Sequence, residues 1–112
     1  MALPEIGEPL PRAADAWVDD AKWAGWILAA RGHGREWQRV VAGGAGDELW
    51  LVLAAGVRNA PVTELRDLGA FGVTCRVPLL LPFGANTIAV RTIWHYADGG
   101  AAPRLVTAYP AT

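Results

Sequence analysis

Residues 71–79 read FGVTCRVPL, and the rhythm of this stretch decides the fold. Phe71, Val73, Cys75, Val77 and Leu79 alternate with Gly72, Thr74, Arg76 and Pro78. A period of two places the apolar set on one face of a strand and the second set on the other. PFGAN (82–86) supplies a turn, after which TIAVRTIWHY (87–96) alternates again. There Ile88, Val90, Thr92 and Trp94 share one side, and Arg91, Ile93 and His95 the other. ADGGAA (97–102) is a second turn, and RLVTAY (104–109) a third strand before Pro110. Turns this short join antiparallel neighbours. Two registers compete in the third strand, with either Leu105, Thr107 and Tyr109 or Arg104, Val106 and Ala108 outward. Burying the small apolar Val106 and Ala108 is the more economical choice. It sends Thr107 and Tyr109 to the side of His95 and leaves Leu105 partly exposed.

Upstream the period becomes helical. Trp23, Trp26, Ile27 and Ala30 follow Asp19, a fit N-cap, and Gly32 marks a stop. REWQRVVA (35–42) places Trp37, Val40 and Val41 on one face before Gly43 and Gly44. Asp47 then caps ELWLVLAAGV (48–57), whose stripe is Trp50, Leu53, Ala54 and Val57. Leu49 and Val52 fall off that stripe, so this helix is expected to be buried on more than one side. Residues 58–70 leave two readings open: a helical turn capped by Thr63 and running to Leu68, or an extra edge strand in PVTEL (61–65). The order predicts an α+β domain, about three N-terminal helices packed on one face of a small C-terminal antiparallel sheet of three or four strands. An extended lead-in, 1–16, precedes a single domain over 17–112.

Length and composition agree with one globular domain, since the 112 residues are 53% apolar and 19% charged. The longest apolar runs, LWLVLAAGV (49–57) and VPLLLPF (77–83), are too short to span a bilayer. The first residues carry acids and prolines where a signal peptide needs a basic tip and an apolar stretch, so a cytoplasmic location and no membrane partner are expected. Cys75 is the lone cysteine, and with His33 and His95 it builds no Cys-rich zinc site. Serine is absent, which excludes serine nucleophiles. Neither metal nor cofactor is expected. The formal charge of −1 argues against a broadly basic surface, but it is unevenly spread. Residues 1–50 carry five cations against eight acids, and residues 51–112 carry five arginines against Glu64, Asp67 and Asp98. The positive excess falls in the sheet half.

With the apolar rows assigned to the helices, Thr74, Arg76, Arg91 and His95 share the open face, joined by Thr107 and Tyr109. Such a set meets the needs of phosphodiester cleavage through a neighbouring 2′-hydroxyl. A histidine moves the proton, guanidiniums stabilise the phosphoryl oxygens, and hydroxyls orient the phosphate. The ordinary alternative is a solvated sheet face with a surface histidine. His33, in RGHGREW (31–37), reads by default as a linker residue and otherwise as a substrate contact. Cys75 shares the buried face, opposite to His95, so a Cys/His nucleophile pair is discarded.

Several stretches are also similar to a known pattern. WVDDAKWAGWIL (17–28), GHGREWQRV (32–40), VRTIW (90–94) and above all PRLVTAYP (103–110) resemble a family of small uncharacterised bacterial domains. A terminal strand of this kind recurs in barnase/EndoU/RelE-like ribonuclease toxins. The resemblance implies a barnase- or RelE-like layout and a small toxin-like ribonuclease that cuts RNA without metal. His95, Arg91, Thr107 and Tyr109 would be its catalytic set, and Arg76, Arg104, Thr74, His33 and Arg35 its substrate contacts. Such toxins commonly carry a basic residue on a helix, where this chain offers His33, Arg35 and Lys22. RNA and a neutralising protein would be the partners. The alternative is a non-catalytic interaction domain of the immunity or antitoxin kind, favoured by the near-zero charge.

Overall fold

The structure, a computed structural model, describes residues 3–23, 46–83 and 86–110. Its centre is a four-stranded antiparallel meander in the order β1-β2-β3-β4, formed by Glu64–Asp67, Val73–Phe83, Asn86–Tyr96 and Arg104–Pro110. Helix α1 is described over Asp20–Lys22, and α2 over Gly46–Val57. The undecided segment is thus resolved as an edge strand. Glu64 pairs with Arg76 and Asp67 with Val73, and the peptide N–H and hydroxyl of Thr63 both donate to the carbonyl of Arg76.

The two long strands carry the fold. Their register, from Val73 opposite Tyr96 to Phe83 opposite Asn86, stacks Cys75, Val77 and Leu79 beside Trp94, Thr92 and Val90. All six are buried. Helix α2 lies on this face. Leu49, Leu53 and Val57, four residues apart, are fully buried, whereas Leu51 is 68% exposed and Trp50 is half-buried. The expected stripe is therefore rotated: Leu49 lies in the contact and Trp50 flanks it. Gly56 permits the close approach, since a Cβ there would stand 2.8 Å from Leu81 Cδ2.

Thr92 is the one polar member of the buried row, and its hydroxyl is fully used. It donates to the carbonyl of Val77 at 2.6 Å and accepts the indole N–H of Trp94 at 2.8 Å. Replacing it by Val keeps the volume but strands a buried indole donor. Thr92→Val should cost about 1–3 kcal/mol, read as a lower urea midpoint with unchanged slope.

A register shift at Ile93/Trp94 settles the competition in β4. Ile93 pairs with Thr107 but Trp94 pairs with Leu105, so Val106 is the extra residue of a β-bulge. Both Leu105 and Ala108 are consequently buried, while Arg104, Thr107 and Tyr109 sit opposite His95, Ile93 and Arg91 on the other face. The expectation that Leu105 would be partly exposed is corrected, because a strict period of two cannot bury residues 105 and 108 together.

The expectation of about three N-terminal helices in a barnase- or RelE-like layout is also corrected. Among the described residues, a single helix longer than one turn, α2, packs on the sheet. The helix expected at 35–42, and the part of the first helix beyond Trp23, lie outside the described residues. The lead-in takes up ground assigned to helices. Leu10 and Ala13 belong to the core, Tyr96 donates its phenol hydrogen to the carbonyl of Pro11 at 2.6 Å, and Arg12 bonds the carbonyl of Gly100. Ile6 and Pro9 bridge to Val62 and Pro61, and Trp17 pairs with Arg104. Prolines 4, 9 and 11 oppose a helix here and leave extended backbone to make these bridges. No helix among the described residues is long and apolar enough to cross a membrane.

Beyond β1, the outer edge of β2 has no partner strand among the described residues. Arg76 turns its carbonyl outward to Thr63, so by alternation the peptide groups of residues 78, 80 and 82 also face outward. Prolines occupy 78 and 82, removing two outward N–H donors from a template for intermolecular pairing. The double change Pro78→Thr and Pro82→Thr should promote self-association, visible as a concentration-dependent increase in light scattering. An unchanged monomer profile would contradict this role.

Candidate functional site

The open face of the sheet carries Glu64 and Arg66 on β1, Thr74, Arg76 and Pro78 on β2, Arg91, Ile93 and His95 on β3, and Arg104, Thr107 and Tyr109 on β4. Four of the five arginines of the C-terminal half thus share one face with one acid, Glu64. The positive excess legible along the chain becomes a spatial one, because alternation sends every second residue the same way. A cationic face of this kind attracts polyanions.

The face divides around Ile93. On one side a pocket of about 300 Å³ is lined by Thr63, Glu64, Arg76, Arg91 and Tyr109, with Pro78 and Ile93 in its floor. Arg76 Nε lies 3.2 Å from Glu64 Oε2, across the β1–β2 pair. Both side chains are more than half exposed, so the pair is worth at most about 1 kcal/mol. Arg91 makes no ion pair among the described residues. Its cross-strand neighbours are Pro78, which is uncharged, and Tyr109. On the other side a second pocket, about 510 Å³, is lined by Glu64, Leu65, Arg66, Thr74, Arg76 and Ile93.

His95 stands apart from Arg91. Four residues along one strand separate them by about 13 Å. Its Nε2 lies 2.6 Å from the carbonyl of Phe71. A carbonyl only accepts, so Nε2 carries the hydrogen and donates it. Thr74 and Arg104 flank His95 on the neighbouring strands. Thr107 faces Ile93, with its Oγ1 shut away from solvent and without a hydrogen-bond partner among the described residues. Of the sequence-derived candidates, Arg76, Arg91 and Tyr109 therefore line one pocket, and His95, Thr74 and Arg104 form a second group. His33 and Arg35 lie outside the described residues. Cys75 is buried among apolar neighbours, and burial pushes its thiol up to about 11, so it stays protonated at neutral pH.

Glu64 was not among the candidates. Its segment fitted a helical turn as well as a strand, and only strand pairing brings its carboxylate beside Arg76. The available signal was the opposite charge of ELRD (64–67) against the following strand, legible once the hairpin is assumed. Compared with protein-family models, with curated proteins and with solved structures, the chain returns no match.

Proposed function

We propose that the open face binds RNA and that the pocket at Arg91 cleaves it by attack of the 2′-hydroxyl on the adjacent phosphate. The observation that carries this reading is one pocket holding a carboxylate, two guanidiniums and a phenol, on a face with four arginines against one acid. Arg91 and Arg76 hold the phosphoryl oxygens and stabilise the charge that builds on them. The Glu64 carboxylate takes the 2′-hydroxyl proton, the 2′-oxygen bonds to phosphorus, and the 5′-oxygen leaves with a proton from the Tyr109 phenol. In-line displacement places base and acid on opposite sides of the phosphate. Glu64 on β1 and Tyr109 on β4 flank the two arginines in that sense. His95, Thr74, Arg66 and Arg104 extend the cationic track along which the strand lies.

Incubation with a defined oligoribonucleotide in excess chelator should yield a 2′,3′-cyclic phosphate and a 5′-hydroxyl end, and a 2′-deoxy substitution at the scissile position should block the cut. Glu64→Gln should slow cleavage by about 100-fold or more with unchanged thermal stability. RNA left intact by the parent chain would end this reading.

The second reading, a non-catalytic interaction domain, is favoured by the groove that Leu51, Val52, Ala55 and Gly56 of α2 form with Leu80 and Pro82 of β2. Leu51 and Leu80 are 68% and 74% exposed there, an apolar surface of the kind partner proteins cover. Under this reading, RNA remains intact and Leu80→Asp abolishes capture of the partner while the fold is kept.

A further inference from the structure

A different observation lies on the opposite face of the sheet. Trp17, Trp23 and Trp50 line a pocket of about 240 Å³, completed by Ala16, Val18 and the exposed Asp20. The rings of Trp23 and Trp50 meet at 6.0 Å with planes 74° apart, forming two walls of a corner. Trp50 is backed at 6.3 Å by the fully buried Trp94, whose indole N–H is tied to Thr92. Trp17 is anchored through its backbone, donating to the carbonyl of Pro103 and accepting from the N–H of Leu105. The pocket is therefore held in place by the β-sheet and the core.

We propose that this corner binds a small organic cation carrying a methylated ammonium group. Indole faces are the strongest π partners for such a cation, and two ring walls at a steep angle leave room for a roughly spherical head group to meet a face of each. A methylated ammonium gives up little hydration on entering, while its diffuse charge is attracted by the ring faces. Asp20 adds the only charge among the described residues of the lining, and it is of the complementary sign. A plain apolar guest would not need it, and an anion would be repelled by it. Nothing in this pocket is shared with the Arg91 pocket, so the two proposals stand or fall separately.

The test is titration of the full chain with tetramethylammonium chloride and with choline chloride, read by tryptophan fluorescence and by isothermal calorimetry, against sodium chloride at equal ionic strength. Saturable binding in the range of about 1–10 mM is expected. 3,3-Dimethylbutan-1-ol, the neutral isostere of choline, should bind at least about tenfold more weakly. Trp17→Ala should weaken tetramethylammonium binding by about tenfold, Trp17→Phe should restore most of it, and Asp20→Asn should weaken it by about threefold. Comparing choline with its isostere on the parent chain needs no variant, so the proposal is decided even if Trp17→Ala fails to fold. Equal affinity for the alcohol and for choline, or no saturable response to either cation, would overturn it. RNA cleavage by Trp17→Phe should match that of the parent, which separates failure of this pocket from failure of the catalytic reading.

Discussion

Gly72→Ala is expected to lower the stability of the protein by at least about 3 kcal/mol, a large loss for the addition of one methyl group. Gly72 has φ 93° and ψ −151°, a region essentially reserved for glycine. A Cβ built there would stand 2.0 Å from the carbonyl oxygen of Tyr96, and 3.1 Å from Nε2 of His95. The first contact is with backbone at the end of β3, so no rotamer change relieves it and the strand itself must move. Gly72 also closes the junction between β1 and β2, accepting from the N–H of Leu68 and donating to the carbonyl of Gly69. Displacing it would therefore loosen the edge strand that carries Glu64. For a domain of this size the loss corresponds to a fall of about 12 °C or more in melting temperature, measured by circular dichroism. A midpoint within a few degrees of the parent would show that the junction adapts, and the strain argument would fail. In contrast, Gly56→Ala meets the side-chain ends of Leu81 and Leu79 rather than backbone and should cost less.

Under the proposed RNA cleavage, Arg91→Ala should reduce kcat/KM on a defined oligoribonucleotide by about 100-fold or more while leaving the melting temperature nearly unchanged. The guanidinium is exposed and supports no ion pair among the described residues, so its removal takes little from the fold. It stands in the pocket with Tyr109 beside it and Arg76 also in the lining, and among the described residues it is the cation of that lining without an ion pair. Arg91→Lys should recover only part of the loss, because a point charge replaces a two-pronged donor. His95→Ala is the informative comparison. At about 13 Å along the strand, and with Nε2 held by the carbonyl of Phe71, its loss should change the rate by less than about tenfold. A collapse of activity in His95→Ala with Arg91→Ala unaffected would relocate the chemistry to the His95 group.

The alternation of residues 73–79 and 88–95 left one arrangement of their side chains, because a pleated backbone sends neighbours to opposite faces, whereas Phe71, expected to open the buried row, lies in a 3-10 turn before the strand and is 78% exposed. Hence the buried row of Cys75, Val77, Leu79, Val90, Thr92 and Trp94, and the open positions of Thr74, Arg76, Arg91 and His95, were legible without coordinates. The place of Leu105 was not. A bulge inserts one residue into the count, and whether β4 bulges depends on what it must bury against Trp94 and Thr92 rather than on its own sequence. Helical periodicity was similarly limited, since it identifies an apolar face but not what the face packs on, and for that reason Leu49 took the fully buried place while Trp50 packs at the margin.

The candidate site shows the same division. Residue types and strand parity, both local properties, determined that arginines, a histidine and hydroxyls share one face. Which of them meet depended on register and on strand order, which are set by pairings between residues far apart in the chain. Those pairings put Glu64 beside Arg76, gathered Arg91 with Tyr109, and left His95 at the far end of its strand against the carbonyl of Phe71. Side-chain direction is written every two residues along a strand, whereas distance between side chains exists only once the strands have been aligned.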